Sequence, residues 1–193
     1  CALPIYIVFG TDPDADRVGL VVKHKGNYEI LNGNQAGSLL VYFLLKKWQQ
    51  EGKLKGNEFV AKTIVTTQLI DEICKSFNTK CFNTLTGFKY IAELIKANEG
   101  KLTFIGGGEE SYGYLIGDAV RDKDAVISTL ILAEVAAWAK EQNKTLIDIL
   151  ADIYTEFGFY KEHLISITKK GISGAQEIAN LMGAYRNKTP EAI

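Results

Sequence analysis

Apolar positions along the chain follow two rhythms. Short continuous or β-branched runs read as strands, and runs spaced three to four apart read as helices. Ile5-Tyr6-Ile7-Val8-Phe9 is a strand pattern closed by Gly10 and a turn containing Pro13. Residues 18–23 and 28–31 flank Lys25-Gly26-Asn27, which predicts a hairpin. A helix is predicted over 35–50, with start signals at Asn32-Gly33-Asn34 and a stop at Gly52. Residues 59–65 are β-branched and apolar, hence a strand. Leu69, Ile70, Ile73, Cys74 and Phe77 then share one helical face.

The alternation continues to the end of the chain. Lys80-Cys81-Phe82 reads as a short strand, 87–97 as a helix and 102–105 as a strand ending in Gly106-Gly107-Gly108. Residues 124–140 predict a helix apolar almost all round and therefore deeply buried. Leu146, Ile149, Leu150, Ile153 and Phe157 mark another helix. Residues 164–168 are strand-like, and 172–186 helical through Ile178, Ala179, Met182 and Tyr185. Alternating strands and helices predict an α/β fold, with a mostly parallel sheet and helices on both faces. Such sheets bind ligands at the carboxyl ends of their strands. Three polar loops follow predicted strands, at 10–17, 84–89 and 106–114, and are expected to meet at one crevice.

Composition narrows the function. The 193 residues hold 22 Lys and Arg against 23 Asp and Glu, a formal charge of −1. No global field favours nucleic acid or an anionic membrane. No apolar run is long enough for a spanning helix, the richest stretch at 125–139 being broken by Ser128, Thr129 and Glu134. Cys1, Cys74 and Cys81 have no metal-type spacing and cannot all pair, so a reducing, cytoplasmic setting is expected. The start Cys1-Ala2-Leu3-Pro4 has neither Met nor a signal pattern, which suggests a chain beginning inside a longer protein. His24 and His163 sit in no motif and read as structural or exposed.

Candidate chemistry lies in the loops. Thr11-Asp12-Pro13-Asp14-Ala15-Asp16-Arg17 carries three alternating carboxylates, which repel unless a proton or cation neutralises them. A hard divalent cation suits that oxygen set, and a solvated acidic turn is the plainer reading. An EF-hand is excluded, because the positions needing Gly and Glu hold Arg17 and Lys23. Arg17 offers a planar fork for phosphate oxygens, or a charge partner for the aspartates. Gly106 to Tyr114 resembles a phosphate cradle, but Glu109 and Glu110 would repel phosphate. Carboxylates with the Ser111 hydroxyl suit sugar hydroxyls instead. Lys89, in the first turn after Thr86-Gly87-Phe88, opposes the helix dipole, which favours a ligand role. In Arg121-Asp122-Lys123-Asp124 either aspartate is a candidate N-cap. Lys123 is a charge partner or a proton carrier. An aspartate-nucleophile phosphatase and a metal-stabilised carbohydrate-binding module both remain open at this point.

Together these motifs resemble the α-D-phosphohexomutases, the phosphoglucomutase/phosphomannomutase superfamily. Residues 11–17 look like that family's magnesium loop and Gly108-Glu109-Glu110-Ser111 like its sugar-binding loop. Thr86-Gly87-Phe88-Lys89 and residues 121–124 match in order and spacing. The resemblance implies interconversion of hexose 1-phosphate and hexose 6-phosphate, through a phosphoserine and a hexose 1,6-bisphosphate intermediate. It implies Mg2+ on Asp12, Asp14 and Asp16, with Arg17 beside the transferring phosphate and Lys123 as proton carrier. Thr86, Gly87, Lys89, Glu109 and Ser111 would contact a phosphorylated sugar. It also implies an organisation: the end of a second domain at 1–32, a third domain at 33–157, and a linker with the start of a fourth at 158–193. None of Ser38, Ser76, Ser111, Ser128, Ser166 or Ser173 lies in the family's Thr-Ser-His-Asn-Pro-like donor loop. The Arg-x-Ser-Gly-Thr phosphate clamp is also missing. A mutase fragment without turnover of its own is therefore expected. Tyr112-Gly113-Tyr114 replaces the Gly-His of some members, which shifts the acid/base expectation to Lys123.

Overall fold

A computed structural model describes residues 5–188, so the reading of the Cys1 to Pro4 start lies outside the described residues. The described chain up to Lys161 forms one compact unit, and Glu162 onward forms a second. Strands β1 (Ile7–Thr11), β2 (Val18–His24) and β3 (Asn27–Leu31) make an antiparallel sheet in the order β1-β2-β3. The expected hairpin is therefore present. Val18, Leu20 and Val22 alternate into the core, as the two-residue period of a strand requires. The first strand runs two residues later than predicted. As an edge strand it is only partly covered, which corrects its reading as buried.

Helix α1 (Gly33–Gln50) starts where its capping residues dictate. The Asn32 side chain accepts from Gln35 N–H, and the Gln35 side chain accepts from Asn32 N–H. The helix is buried from Ala36 to Leu45 and packs against three other helices and a strand of the second sheet. The second sheet contains β4 (Glu58–Thr63), β5 (Lys80–Thr84), β6 (Thr103–Gly108) and β7 (Tyr114–Ile116) in the order β5-β4-β6-β7. Strand β4 is parallel to both neighbours, and β7 is antiparallel to β6.

Period-two alternation in β4 feeds two cores. Val60 joins α1 and α2 (Leu69–Ser76) through Ile70, Ile73 and Cys74. Phe59 and Ala61 join α3 (Phe88–Ala97) through Phe88, Ile91 and Ile95. Helices thus cover both faces. The chain passes from β4 to β5 on one side and returns to β6 on the other. This creates a switch point between β4 and β6, the usual ligand crevice of such sheets.

The remaining elements bring corrections. Helix α4 (Ala125–Glu141) is not buried all round: Ala125, Leu132, Val135 and Ala139 are, but Val126 and Leu130 are 72% and 55% exposed. Its apolar residues exceed what one packed face can cover. Helix α5 (Leu146–Phe157) has a second capping box, Thr145 with Asp148. Residues 164–168 form no strand; Leu164 is 85% exposed and has no ladder partner. In the second unit, α6 (Gly171–Asn187) forms as expected, and Ile178, Met182 and Tyr185 are exposed. Among the described residues no helix is long and apolar enough to cross a membrane.

Candidate active site

The acidic loop is shaped by its own backbone. Asp12 Oδ1 accepts N–H bonds from Asp16 and Arg17, each at 3.1 Å, and the Asp12 carbonyl accepts from Ala15 N–H at 3.1 Å. Closing so short a turn puts Ala15 in the left-handed region, at φ 55°. Asp12, Asp14 and Asp16 each contribute a carboxylate oxygen, and these oxygens lie within 4.8 Å of one another. Partial burial disfavours the charge on Asp12, but the Arg17 and Asp16 N–H groups outweigh it and hold its carboxyl below the usual range. Asp16 Oδ2 meets Lys123 Nζ at 2.7 Å. Asp16 Oδ1 is buried without a hydrogen bond, with Arg17 Nε 3.8 Å away. Three carboxylates against two cations leave one negative charge, and an orphaned oxygen adds acceptor capacity. The all-oxygen donor set fits Mg2+ or another hard divalent ion.

The glycine–glutamate segment is built into the second sheet. Gly106 to Gly108 are the last residues of β6, and β7 begins at Tyr114. A side chain on Gly107 would collide with the Ala61 carbonyl of β4, and one on Gly108 with the Gly113 carbonyl. The turn is closed by Glu109 N–H donating to Gly113 at 2.8 Å. Glu109 is 5% exposed, and its Oε1 accepts from Gly87 N–H at 3.0 Å. Glu110 Oε2 accepts from the hydroxyls of Thr63 and Thr66 at 3.0 and 3.1 Å. Ser111 is half-buried, and its hydroxyl has no hydrogen-bond partner among the described residues.

Three ties bring these loops together. Tyr112, itself left-handed at φ 70°, accepts from Val18 N–H at 3.1 Å. The Ala15 carbonyl accepts from Ala125 N–H at 3.1 Å, joining the acidic loop to the start of α4. The Lys123 stem lies across Gly113, where a Cβ would strike it, so its ammonium reaches Asp16 over the floor of the other loop. With the bond from Gly87 to Glu109, the three loops named from sequence share one edge.

The other sequence candidates fall as follows. Arg17 and Thr86 are exposed at the rim. Lys89 is also exposed, its ammonium 4.9 Å from the Tyr90 ring centroid. Asp124 is the N-cap of α4, accepting from Val126 and Ile127, and Asp122 accepts from Lys123 N–H. His24 is structural, bonded to Thr145 at 2.8 Å. Sequence reasoning missed Lys62. It is 1% exposed at the end of β4, and its ammonium is held by Asn83 at 2.6 Å, Asp71 at 2.9 Å and the Thr66 carbonyl at 3.2 Å. The signal was a lone cation inside an apolar strand, which demands buried partners. Glu110 was read as a ligand-facing acid; it anchors the loop to β4 instead.

The acid trio and the Glu109–Ser111 turn thus stand at one edge of an α/β unit. The comparisons are specific. Residues 32–157 match the family described as phosphoglucomutase/phosphomannomutase, alpha/beta/alpha domain III, and the chain belongs to that family. A phosphoglucomutase of Staphylococcus epidermidis is 39% identical over 185 residues, 95% of this chain and 33% of that protein. One from Staphylococcus aureus strain N315 is 35% identical over 188 residues, again 33% of its length. The chain thus spans about a third of the curated relatives it matches. A crystal structure assigned as a phosphomannomutase of Thermus thermophilus superposes with a TM-score of 0.66 at 24% identity. It covers 86% of this chain and 35% of its own. Parafusin, a phosphoglucomutase of Paramecium, gives 0.59 at 20%, covering 93% and 30%. Both likenesses speak for the fold.

Proposed function

We propose that this chain is the central part of a phosphohexomutase that interconverts hexose 1-phosphate and hexose 6-phosphate through a hexose 1,6-bisphosphate. In this reading residues 1–32 end a second domain, 33–157 are the third, and 158–193 begin a fourth. The rest of a longer protein supplies the phosphoserine and the phosphate clamp. The observation that carries the reading is the acid trio, with oxygens within 4.8 Å of one another, on a loop hydrogen-bonded to the segment bearing Ser111.

Each residue's proposed work follows from its surroundings. Asp12, Asp14 and Asp16 hold Mg2+, which supplies positive charge where phosphoryl transfer spreads negative charge over oxygens. Asp12 suits a ligand better than a phosphatase nucleophile, because its Oδ1 already accepts two N–H groups. Arg17, exposed at the rim, directs its guanidinium to a phosphate. Ser111 offers a free hydroxyl to the sugar. Glu109 keeps acceptor capacity on its second oxygen while its first fixes the Thr86-Gly87 turn. Lys123, set between Asp16 and the Gly113 turn, carries a proton at Nζ, and Lys89 adds charge at the pocket entrance. A ring with hydroxyls on both sides can meet Ser111 and Glu109 in either of two orientations, as a mutase requires.

Thermal denaturation in magnesium tests the metal part. If Mg2+ is present at about a hundred times its Kd, it stabilises the folded chain by about 2.7 kcal/mol, and Asp14→Asn abolishes the rise. A melting temperature unmoved by millimolar Mg2+ contradicts the assignment. For the whole protein, turnover of a hexose 1-phosphate with release of free phosphate, rather than the 6-phosphate, would overturn the mutase reading.

A further inference from the structure

The far end of β2 lies well away from the acidic loop. Val22 and Lys23 lie four and five residues along the strand from Val18, about 13–17 Å away. There a partly enclosed cavity of about 240 Å3 opens between the three-stranded sheet, the end of α4 and the start of α5. Ile7, Val22 and Leu146 make an apolar floor, and Lys140 and Lys144 make a cationic rim; the Lys23 ammonium lies 5.9 Å from the Tyr28 ring centroid, on the face of β2 opposite Val22. No Asp or Glu lines it.

The charges at the rim are unevenly matched. Lys144 pairs with Asp152 on α5. The nearby Asp148 is committed to the Thr145 cap and faces His24 at 3.9 Å. Lys140 has no carboxylate within 4.0 Å among the described residues. The Lys140 ammonium sits 4.3 Å from the centroid of Tyr6, another wall of the cavity, which holds this cation at the rim. An apolar floor favours an apolar body, and the unmatched Lys140 ammonium favours an anion. The volume falls below the usual ~300–1,000 Å3 of drug-sized sites, so the ligand is about the size of one ring.

We propose that this cavity binds a small organic anion, a carboxylate or phosphate monoester on a compact apolar body, independently of the acidic loop. The test is amide-shift titration of the 193-residue chain with phenyl phosphate, benzoate, benzyl alcohol and inorganic phosphate. The two ring-bearing anions should shift Ile7, Val22 and Leu146 saturably, with Kd on the order of 0.1–1 mM. Lys140→Gln should weaken binding about tenfold, equivalent to about 1.4 kcal/mol, while Lys23→Gln on the other face of β2 and Lys96→Gln on α3 leave it unchanged. The proposal is overturned by silence of these amides, by shifts confined to Ser111 and Gly113, or by equal loss in Lys96→Gln. Equally tight binding of benzyl alcohol would remove the anion requirement, and equally tight inorganic phosphate the apolar one; either result also overturns it.

Discussion

The acid trio at 12–16 and the acid pair at 109–110 use the same chemical group in opposite ways. Glu109 and Glu110 each accept from protein donors: Gly87 N–H in one case, the Thr63 and Thr66 hydroxyls in the other. Their charge is used internally, to fix a turn against β4 and the 84–89 loop. In the trio only Asp12 is well supplied with donors; Asp14 is exposed and Asp16 keeps a buried oxygen with no hydrogen bond. Satisfied acids build the frame, and unsatisfied acids are the part left to interact with something else. Proximity in sequence distinguishes neither set.

That contrast can be broken by mutation. The largest effect should come from Glu110→Ala, which removes a charged acceptor from two hydroxyls and should cost about 2–3 kcal/mol in urea denaturation. A loss below about 0.5 kcal/mol would mean that the pair is no more structural than an average surface residue. Acid titration sharpens the point with carboxylates outside both loops. Burial works against Glu58, but N–H bonds from Lys55 and Gly56 prevail and its carboxyl is lowered. Asp148 is lowered chiefly by the Thr145 N–H and hydroxyl. Stability from both is complete above their ordinary values of 4.5 and 3.8, and is lost as pH falls through the lower folded values. Glu58→Gln should therefore flatten the acid limb of a stability–pH curve; an unchanged limb contradicts this account.

Smaller effects belong to the trio. Without metal, Asp14→Asn relieves like-charge repulsion and should raise stability by a few tenths of a kcal/mol, up to about 0.5. A loss of stability would imply a structural role like that of Glu110. Smallest of all is Ala15→Gly, where relief of the left-handed strain offsets the extra freedom of the unfolded chain. A change beyond about 0.5 kcal/mol in chemical denaturation would show that the balance lies elsewhere.

Much of this was legible before any coordinates. The Asn32-Gly33-Asn34 start signal located α1, though not the Asn32–Gln35 capping box or the start at Gly33, and the loops after predicted strands converge. What failed did so for physical reasons. Residues 164–168 alternate like a strand, but alternation creates no partner, and the segment has no ladder. Strand β7 is three residues long and hidden behind a glycine-rich turn, too short for a period to declare itself. Apolar content in α4 indicated a hydrophobic helix but not how much of its circumference is covered. The buried Lys62 depends on Asp71 and Asn83, 9 and 21 residues away, and such pairing has no local signature.

The lysine laid over Gly113 carries a consequence for change at this edge. Position 113 is bare because another residue's hydrocarbon stem occupies the space where its own side chain would stand. Any larger residue there would dislodge Lys123 and withdraw the countercharge from Asp16, on a loop 97 positions earlier in the chain. Under the proposed metal assignment, enlarging that position would therefore alter ion affinity first, so the acidic loop and the 109–113 turn can drift only in step.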